Sequence, residues 1–269
     1  MVPILVYLFL GLIQGIGEWL PISSEGMLTI VGLAYGLDFS LALRIAIWMH
    51  IGTLFAVFVY YREEWKRILF DWTHSIPERR FLVLTTIGTA ITGLPIKILL
   101  LDIIDPKLLT VLGYLLIGVS LLITSALIYY SRSMEENKIL DLHDLSPGQE
   151  ILIGMAQGFT IIPGISRSGT TVSALLLNKV NPEESFRGSF LMSVPAVLGG
   201  TFLDLLDILQ APADNNSLSL MGLVFGIIVA FLGGLLTIQA LLQFARKVNF
   251  ALVTLILGIL LIFIGLLSI

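Results

Sequence analysis

Gln14-Gly15-Ile16-Gly17-Glu18-Trp19-Leu20-Pro21-Ile22-Ser23-Ser24-Glu25-Gly26-Met27 decides how this chain folds. The stretch carries two carboxylates and two hydroxyls inside sequence that is otherwise apolar enough to live in lipid. It has a counterpart 143 residues later, Gln157-Gly158-Phe159-Thr160-Ile161-Ile162-Pro163-Gly164-Ile165-Ser166-Arg167-Ser168-Gly169-Thr170. Gly11/Gly154, Gln14/Gln157, Gly15/Gly158, Ile22/Ile165, Ser23/Ser166 and Gly26/Gly169 match without a gap, and Arg44/Arg187 and Met49/Met192 continue the register. One copy brings acid and the other brings Arg167. The chain reads as a duplication whose halves have specialised by charge.

Composition sets the environment. The 269 residues are 57% hydrophobic and 13% charged, with a mean hydropathy of +0.97. Soluble domains carry about 25% charged residues, so an all-α, polytopic membrane protein is expected, with the lipid bilayer as a partner and no nucleic acid. The net charge of −4 says little, because membrane proteins use the placement of charge more than its sum. The absence of cysteine excludes disulfides, thiolate chemistry and cysteine-based zinc sites. Met1-Val2-Pro3-Ile4 has no basic leader and no small-residue cleavage site, and reads as mature sequence.

A full span needs about 20 apolar residues. Six segments qualify, at 39–61, 81–101, 108–130, 185–208, 218–243 and 250–268. Residues 3–36 and 149–180 do not. Each is a pair of short apolar runs broken by the Gly/Pro/Ser motif, and a run of about ten residues reaches only halfway through a core of about 30 Å. Irregular backbone survives at depth only where protein or a wet cavity satisfies it. Two re-entrant helical hairpins with the motifs at their tips are therefore predicted. The first repeat covers 1–130, a cytoplasmic linker 131–148, and the second repeat 149–269, with residues 210–217 an outer turn.

Lys and Arg set the orientation. Arg62, Lys66, Arg67, Arg79, Arg80, Arg132, Lys138, Lys179, Arg246 and Lys247 gather on one side, against Lys107 and Lys97 on the other. The first side is cytoplasmic by the positive-inside rule, which puts both termini outside. Three spans separate the hairpins, so they enter from opposite faces. This is an inverted-topology repeat, whose sites lie where broken helices meet near the midplane.

Glu18 and Arg167 each carry the cost of a charge at bilayer depth, about 2.5–3.5 kcal/mol on the insertion scale. Either they serve a site or they merely neutralise each other. Neutralisation accounts for two charges but not for the hydroxyls and glycines around them. Ser166, Ser168, Gly169 and Thr171, ahead of an apolar helical run from Val172, supply caps, backbone N–H groups and a positive helix end. With Arg167 they describe an oxyanion or phosphate cradle. Ser23 reads as a helix cap. Ser24 aligns with Arg167 and reads equally as nucleophile or cap. Gln14 stands one helical turn before Glu18, placed to hydrogen-bond it or to offer a neutral oxygen ligand. Glu25 faces either the site or, by preference, the solvated outer rim. His50, the only histidine at depth, reads first as an interhelical hydrogen bond. Arg44 and Arg187 read as snorkelling side chains; His74 and His143 are loop residues.

Gln-x-x-x-Glu followed by Leu-Pro-x-Ser-Ser-x-Gly, paired with Pro-Gly-x-Ser-Arg-Ser-Gly-x-Thr, resembles the undecaprenyl-diphosphatase family, integral-membrane phosphatases linked to bacitracin resistance. The resemblance covers essentially the whole chain. It implies hydrolysis of a polyprenyl diphosphate to the monophosphate and orthophosphate in the cell membrane, recycling a lipid carrier for envelope glycans. It also implies a divalent cation such as Mg²⁺ or Ca²⁺ and a site open to the outer face; a homodimer is allowed for. By position, Gln14 and Glu18 match the metal-binding motif, Ser24 the second motif serine, and Ser166, Arg167, Ser168 and Thr171 the arginine signature. Where the family has histidine this chain has Met27, which can neither relay a proton nor attack, so His50 or Glu25 is expected to supply that function. A transporter or flippase for a lipid phosphate is the rival, because inverted repeats with broken helices also serve alternating access. A scaffold without a site leaves the paired Glu and Arg tips unexplained.

Overall fold

A computed structural model describes residues 2–71, 73, 76–101, 106–133, 139–210 and 218–267. His74, Lys138 and residues 211–217 of the expected outer turn (210–217) lie outside the described residues, as do the side chains of Lys107, Arg246 and Lys247. Helix accounts for nearly all of the rest, and no strand occurs among the described residues.

The elements run α1 (Ile4–Gly17), α2 (Ser24–Ala34), α3 (Phe39–Tyr60), α4 (Arg62–Phe70), α5 (Pro77–Ile96, prolonged by a π turn at Lys97–Leu101) and α6 (Pro106–Ser133). Then follow α7 (Pro147–Gly158), α8 (Arg167–Leu177), α9 (Pro182–Gln210), α10 (Leu220–Lys247) and α11 (Phe250–Leu267). Six of these, α3, α5, α6, α9, α10 and α11, are long and apolar enough to cross a membrane, and they coincide with the six expected spans. Leu5, Phe55, Val83, Leu198, Leu236 and Phe263 are among many large apolar side chains left exposed. A polytopic membrane protein presents such a surface to lipid.

Three helix boundaries differ from expectation, each for a local reason. α8 begins at Arg167, not beyond Thr171, because Ser166 caps it by accepting the Gly169 N–H at 3.1 Å. α2 likewise begins at Ser24, capped by Ser23. The linker at 131–148 is shorter and less polar than expected. α6 continues to Ser133, and Leu142 and Leu145 are buried in the core next to α9. Leu140 is pinned to the α8–α9 turn by Leu140 N–H to Lys179 O (3.0 Å) and Asn181 N–H to Leu140 O (2.9 Å).

The short helices are held by glycine contacts. α1 lies on α10, and α7 lies on α5. A Cβ added at Gly11 would sit 2.2 Å from the Gly226 carbonyl oxygen, and one at Gly154 would sit 2.1 Å from that of Thr85. Gly15 and Gly158, four residues on, meet Ala230–Gly234 and Thr92–Gly93 just as closely. Small residues spaced by four let backbones approach where lipid offers no hydrophobic drive between helices. Gly11→Val and Gly154→Val are each expected to cost at least about 1–3 kcal/mol, read as a lower unfolding midpoint in detergent. Gly148→Ala, with open space around it, is the control and should leave the midpoint unchanged.

Candidate functional site

The chain leaves α1 at Glu18 and α7 at Gly158, and the two irregular segments that follow meet at the centre of the bundle. Gly164 at the second tip has φ +96°, and a Cβ there would lie 2.8 Å from Ile117 Cα, so only glycine fits. A Cβ on Gly26 would stand 3.0 Å from Gly164 Cα, which measures how tightly the tips abut. Ser168 Oγ donates to Leu20 O at 3.3 Å. Arg167 Nη2 donates to Glu18 Oε1.

Glu18 is buried and fully engaged. Its Oε2 receives Ser24 Oγ–H at 2.7 Å and the Gln14 amide Nε2–H at 2.8 Å, with His50 Nε2 at 3.3 Å. The His50 ring is held at its other nitrogen by Ala46 O, 2.8 Å away. A carbonyl only accepts, so Nδ1 carries a proton. His50 therefore makes the interhelical contact that its position suggested, and its partner is the acid at the centre. Ser24 is turned to Glu18 because Ser23 takes a left-handed backbone (φ 61°), unusual for serine. Arg167 is fixed a second time by Nη1–H to Ser189 O at 3.1 Å.

These groups line a cavity of about 420 Å³. Glu18, Ser23, Ser24, Glu25, His50, Ser166, Arg167 and Ser168 all contribute to its wall. Glu25 belongs to this wall, and the solvated-rim reading is corrected: α2 starts at Ser24, three residues before the apolar run at Met27, and carries Glu25 in its first turn. Ser166, the cap of α8, leaves the N–H groups of Arg167 and Ser168 without an intrahelical acceptor. Arginine, hydroxyls and the N-terminal residues of α8 thus share one surface.

Three candidates lie elsewhere. Thr171 is buried against α9, its hydroxyl 2.8 Å from Arg167 O and 2.6 Å from Ser189 Oγ. The Gly169 amide is used by the Ser166 cap, so neither is a cavity wall. Gln14 sits behind Glu18, donating its amide to Glu18 and to Thr53 Oγ1 (3.2 Å). Met27 is also absent from the wall, whereas His50 is in it.

Arg44 and Arg187 do not snorkel. Arg44 Nε pairs with Asp204 at 2.9 Å, and Trp48 Nε1 donates to the same carboxylate at 2.7 Å. Arg187 joins Glu64, Glu78 (2.7 Å) and Glu184 (2.7 Å), binding α9 to α4 and α5. Asp204 and the Lys97–Asp207 pair (3.0 Å) reach the cavity wall too. The signal for Asp204 was available, since an acid in the last turns of a predicted span (185–208) still calls for a partner.

For a divalent cation the donor chemistry fits. Glu18 and Glu25 are hard oxygen donors in one cavity, and Gln14 Oε1 is buried with no donor from the described residues. Oxygen sets of this kind suit Mg²⁺ or Ca²⁺, Mg²⁺ keeping several waters.

A helical bundle with six helices long and apolar enough to cross a membrane, and with arginine, carboxylates and hydroxyls gathered on one cavity, defines the class as a polytopic membrane protein. Residues 7–260 match the family model described as bacitracin resistance protein BacA. The chain belongs to that family. It is 38% identical to an undecaprenyl-diphosphatase of Saccharolobus solfataricus, over 98% of this chain and 96% of that one. Similar proteins of the same name occur in Methanococcoides burtonii (38%, covering 94% and 95%) and Haloarcula marismortui (39%, covering 92% of each).

Proposed function

We propose that this protein is an undecaprenyl-diphosphate phosphatase, cleaving a polyprenyl diphosphate to the monophosphate and orthophosphate and so returning a lipid carrier to envelope glycan synthesis. The observation that carries the reading is the meeting of Arg167 with Glu18 inside one cavity, among Ser24, Ser168 and the N-terminal residues of α8. The guanidinium is a donor that a phosphoryl group needs as its charge shifts. Ser24 Oγ–H already points at Glu18 Oε2, so the acid is placed to take that proton. Gln14 and Glu18 would hold the divalent cation, which when bound screens the diphosphate from the carboxylates and polarises the reacting phosphoryl group. Names of the relatives are those of hydrolases, and the transporter reading has no observation of its own.

The inverted repeat is part of this proposal, and matched contacts support it. Gly11 and Gly154 pack on helices of the opposite half, Ser23 and Ser166 both cap on the glycine three residues on, and Gln14 and Gln157 both donate to a threonine. The cavity wall includes the start of α3 (Ser40, Arg44), the turn that prolongs α5 (Lys97) and the end of α9 (Asp207), and the mouth is assigned to that end. That is the end of the bundle opposite Arg62, Arg67 and Arg80. By the positive-inside rule the mouth opens outward, the hairpins are re-entrant from opposite faces, and both termini lie outside.

The experiment is phosphate release from farnesyl or longer prenyl diphosphates by the purified protein. Release is expected with Mg²⁺ and is expected to stop with chelator; a protein that moves the lipid across vesicles without cleaving it would overturn the reading. With Met27 out of the wall, His50 or Glu25 is assigned the proton-handling role. His50→Gln or Glu25→Gln should lower kcat by about 10²-fold or more. Wild-type kcat in both variants removes that assignment.

A further inference from the structure

The cavity has a second polar wall that the mechanism above leaves unused. Gln157, near the end of α7, lines it beside Thr89 of α5 and Thr160. Gln157 is 2% exposed. Its Nε2 donates to Thr89 Oγ1 at 3.0 Å. Thr89 Oγ1 lies 2.8 Å from Thr85 O and 3.1 Å from Gly154 O. Both are carbonyls and only accept, so they claim the single Thr89 proton and its lone pair receives the amide nitrogen. This fixes which way round the amide sits. Oε1 is the free end, and no described protein group donates to it.

Whatever satisfies that oxygen is a hydrogen-bond donor or a cation, and the carboxylates that would hold a cation, Glu18 and Glu25, belong to the first hairpin and not to α7. Ionised diphosphate oxygens repel the amide oxygen, and a prenyl chain has nothing to offer. A water molecule fits, because it can give one proton to Oε1 and keep a lone pair for phosphorus. An amide oxygen does not titrate, so the role is orientation and not proton removal. Glutamine plays that part toward the attacking water in nucleotide triphosphatases, where little else is asked of the protein than positioning.

We propose that Gln157 holds the attacking water, an inference that rests on the hydrolase reading. The water oxygen bonds to the terminal phosphorus and the bridging P–O bond breaks, its electron pair leaving on the lipid monophosphate. One water proton stays on the orthophosphate and the other passes, by way of His50 or Glu25, to the leaving monophosphate. Gln157 is unchanged at the end.

The test compares Gln157→Leu and Gln157→Glu in the full-length protein with farnesyl diphosphate and Mg²⁺, in buffer with and without methanol as a rival nucleophile. Gln157→Leu should lower kcat about tenfold or more, the scale of one lost hydrogen bond, with KM within about twofold. Its ratio of methyl phosphate to orthophosphate should rise, because water loses its holder. Gln157→Glu keeps an acceptor and should retain more kcat than Gln157→Leu, at a higher KM from the added charge. If Gln157→Leu does not fold, Gln157→Asn, whose oxygen is withdrawn by one methylene, carries the same comparison. An unchanged product ratio, or a shift only in the Mg²⁺ concentration needed, overturns the proposal. A wild type that releases no phosphate sinks the hydrolase reading instead.

Discussion

Arg167→Ala is expected to reduce kcat/KM for phosphate release by about 10³-fold, the upper range for removing one charge-stabilising donor from a preorganised site. Arg167→Lys should recover little of it. The guanidinium is fixed from two sides, by Glu18 and by Ser189 O, and a lysine ammonium cannot reproduce that planar fork. The single variant also strands Glu18, which is 6% exposed, so a lower midpoint is expected beside the lost rate. Pairing it with Glu18→Gln removes the stranded charge, so the double variant should regain stability. It should not regain phosphate release, because Glu18 is itself assigned to the site. Inhibition by inorganic phosphate, expected to be weaker for Arg167→Lys at its residual rate than for the wild type, then isolates the arginine's part in binding the phosphoryl group. Release that survives Arg167→Ala unchanged would end the proposed site.

Much of this architecture could be read from the chain. Length and apolarity gave the six spans within a few residues, because a bilayer constrains helix length more tightly than any soluble core does. The Gly/Pro/Ser interruptions mark the two irregular segments, and the cost of a charge at bilayer depth already pairs Glu18 with Arg167. What escaped depends on rotation about a helix axis. Thr171 and Gly169 lie in the right motif but on the wrong side of α8, since Ser166 starts that helix several residues early. Glu25 faced inward for the same reason on α2. Gln157 was matched to Gln14 in the repeat, yet its partner Thr89 comes from α5, and no local pattern announces a contact across 68 residues.

The largest stability effect is expected far from the cavity, where α7 starts. Glu150 is fully buried, and Arg80 grips it through Nε (3.2 Å to each oxygen) and Nη2 (2.9 Å), while Nη2 also reaches Leu145 O at 2.8 Å. Removing one partner of such a pair leaves an uncompensated charge, which costs about 3–5 kcal/mol. Arg80 is 46% exposed at its side chain, so water partly screens the pair and the lower end, about 3 kcal/mol, is expected for Arg80→Met. Replacing both by methionine should restore most of it, because no buried charge then remains. The corresponding foot of α1 has no charge at all: Tyr7 is buried and its hydroxyl accepts the Ser219 N–H at 3.1 Å. Tyr7→Phe gives up one neutral hydrogen bond, about 1 kcal/mol. Unfolding midpoints in detergent for Arg80→Met, Glu150→Met, their double variant and Tyr7→Phe check the ordering. If Arg80→Met proves no worse than Tyr7→Phe, Glu150 is satisfied by water, and the salt bridge does not anchor the second hairpin.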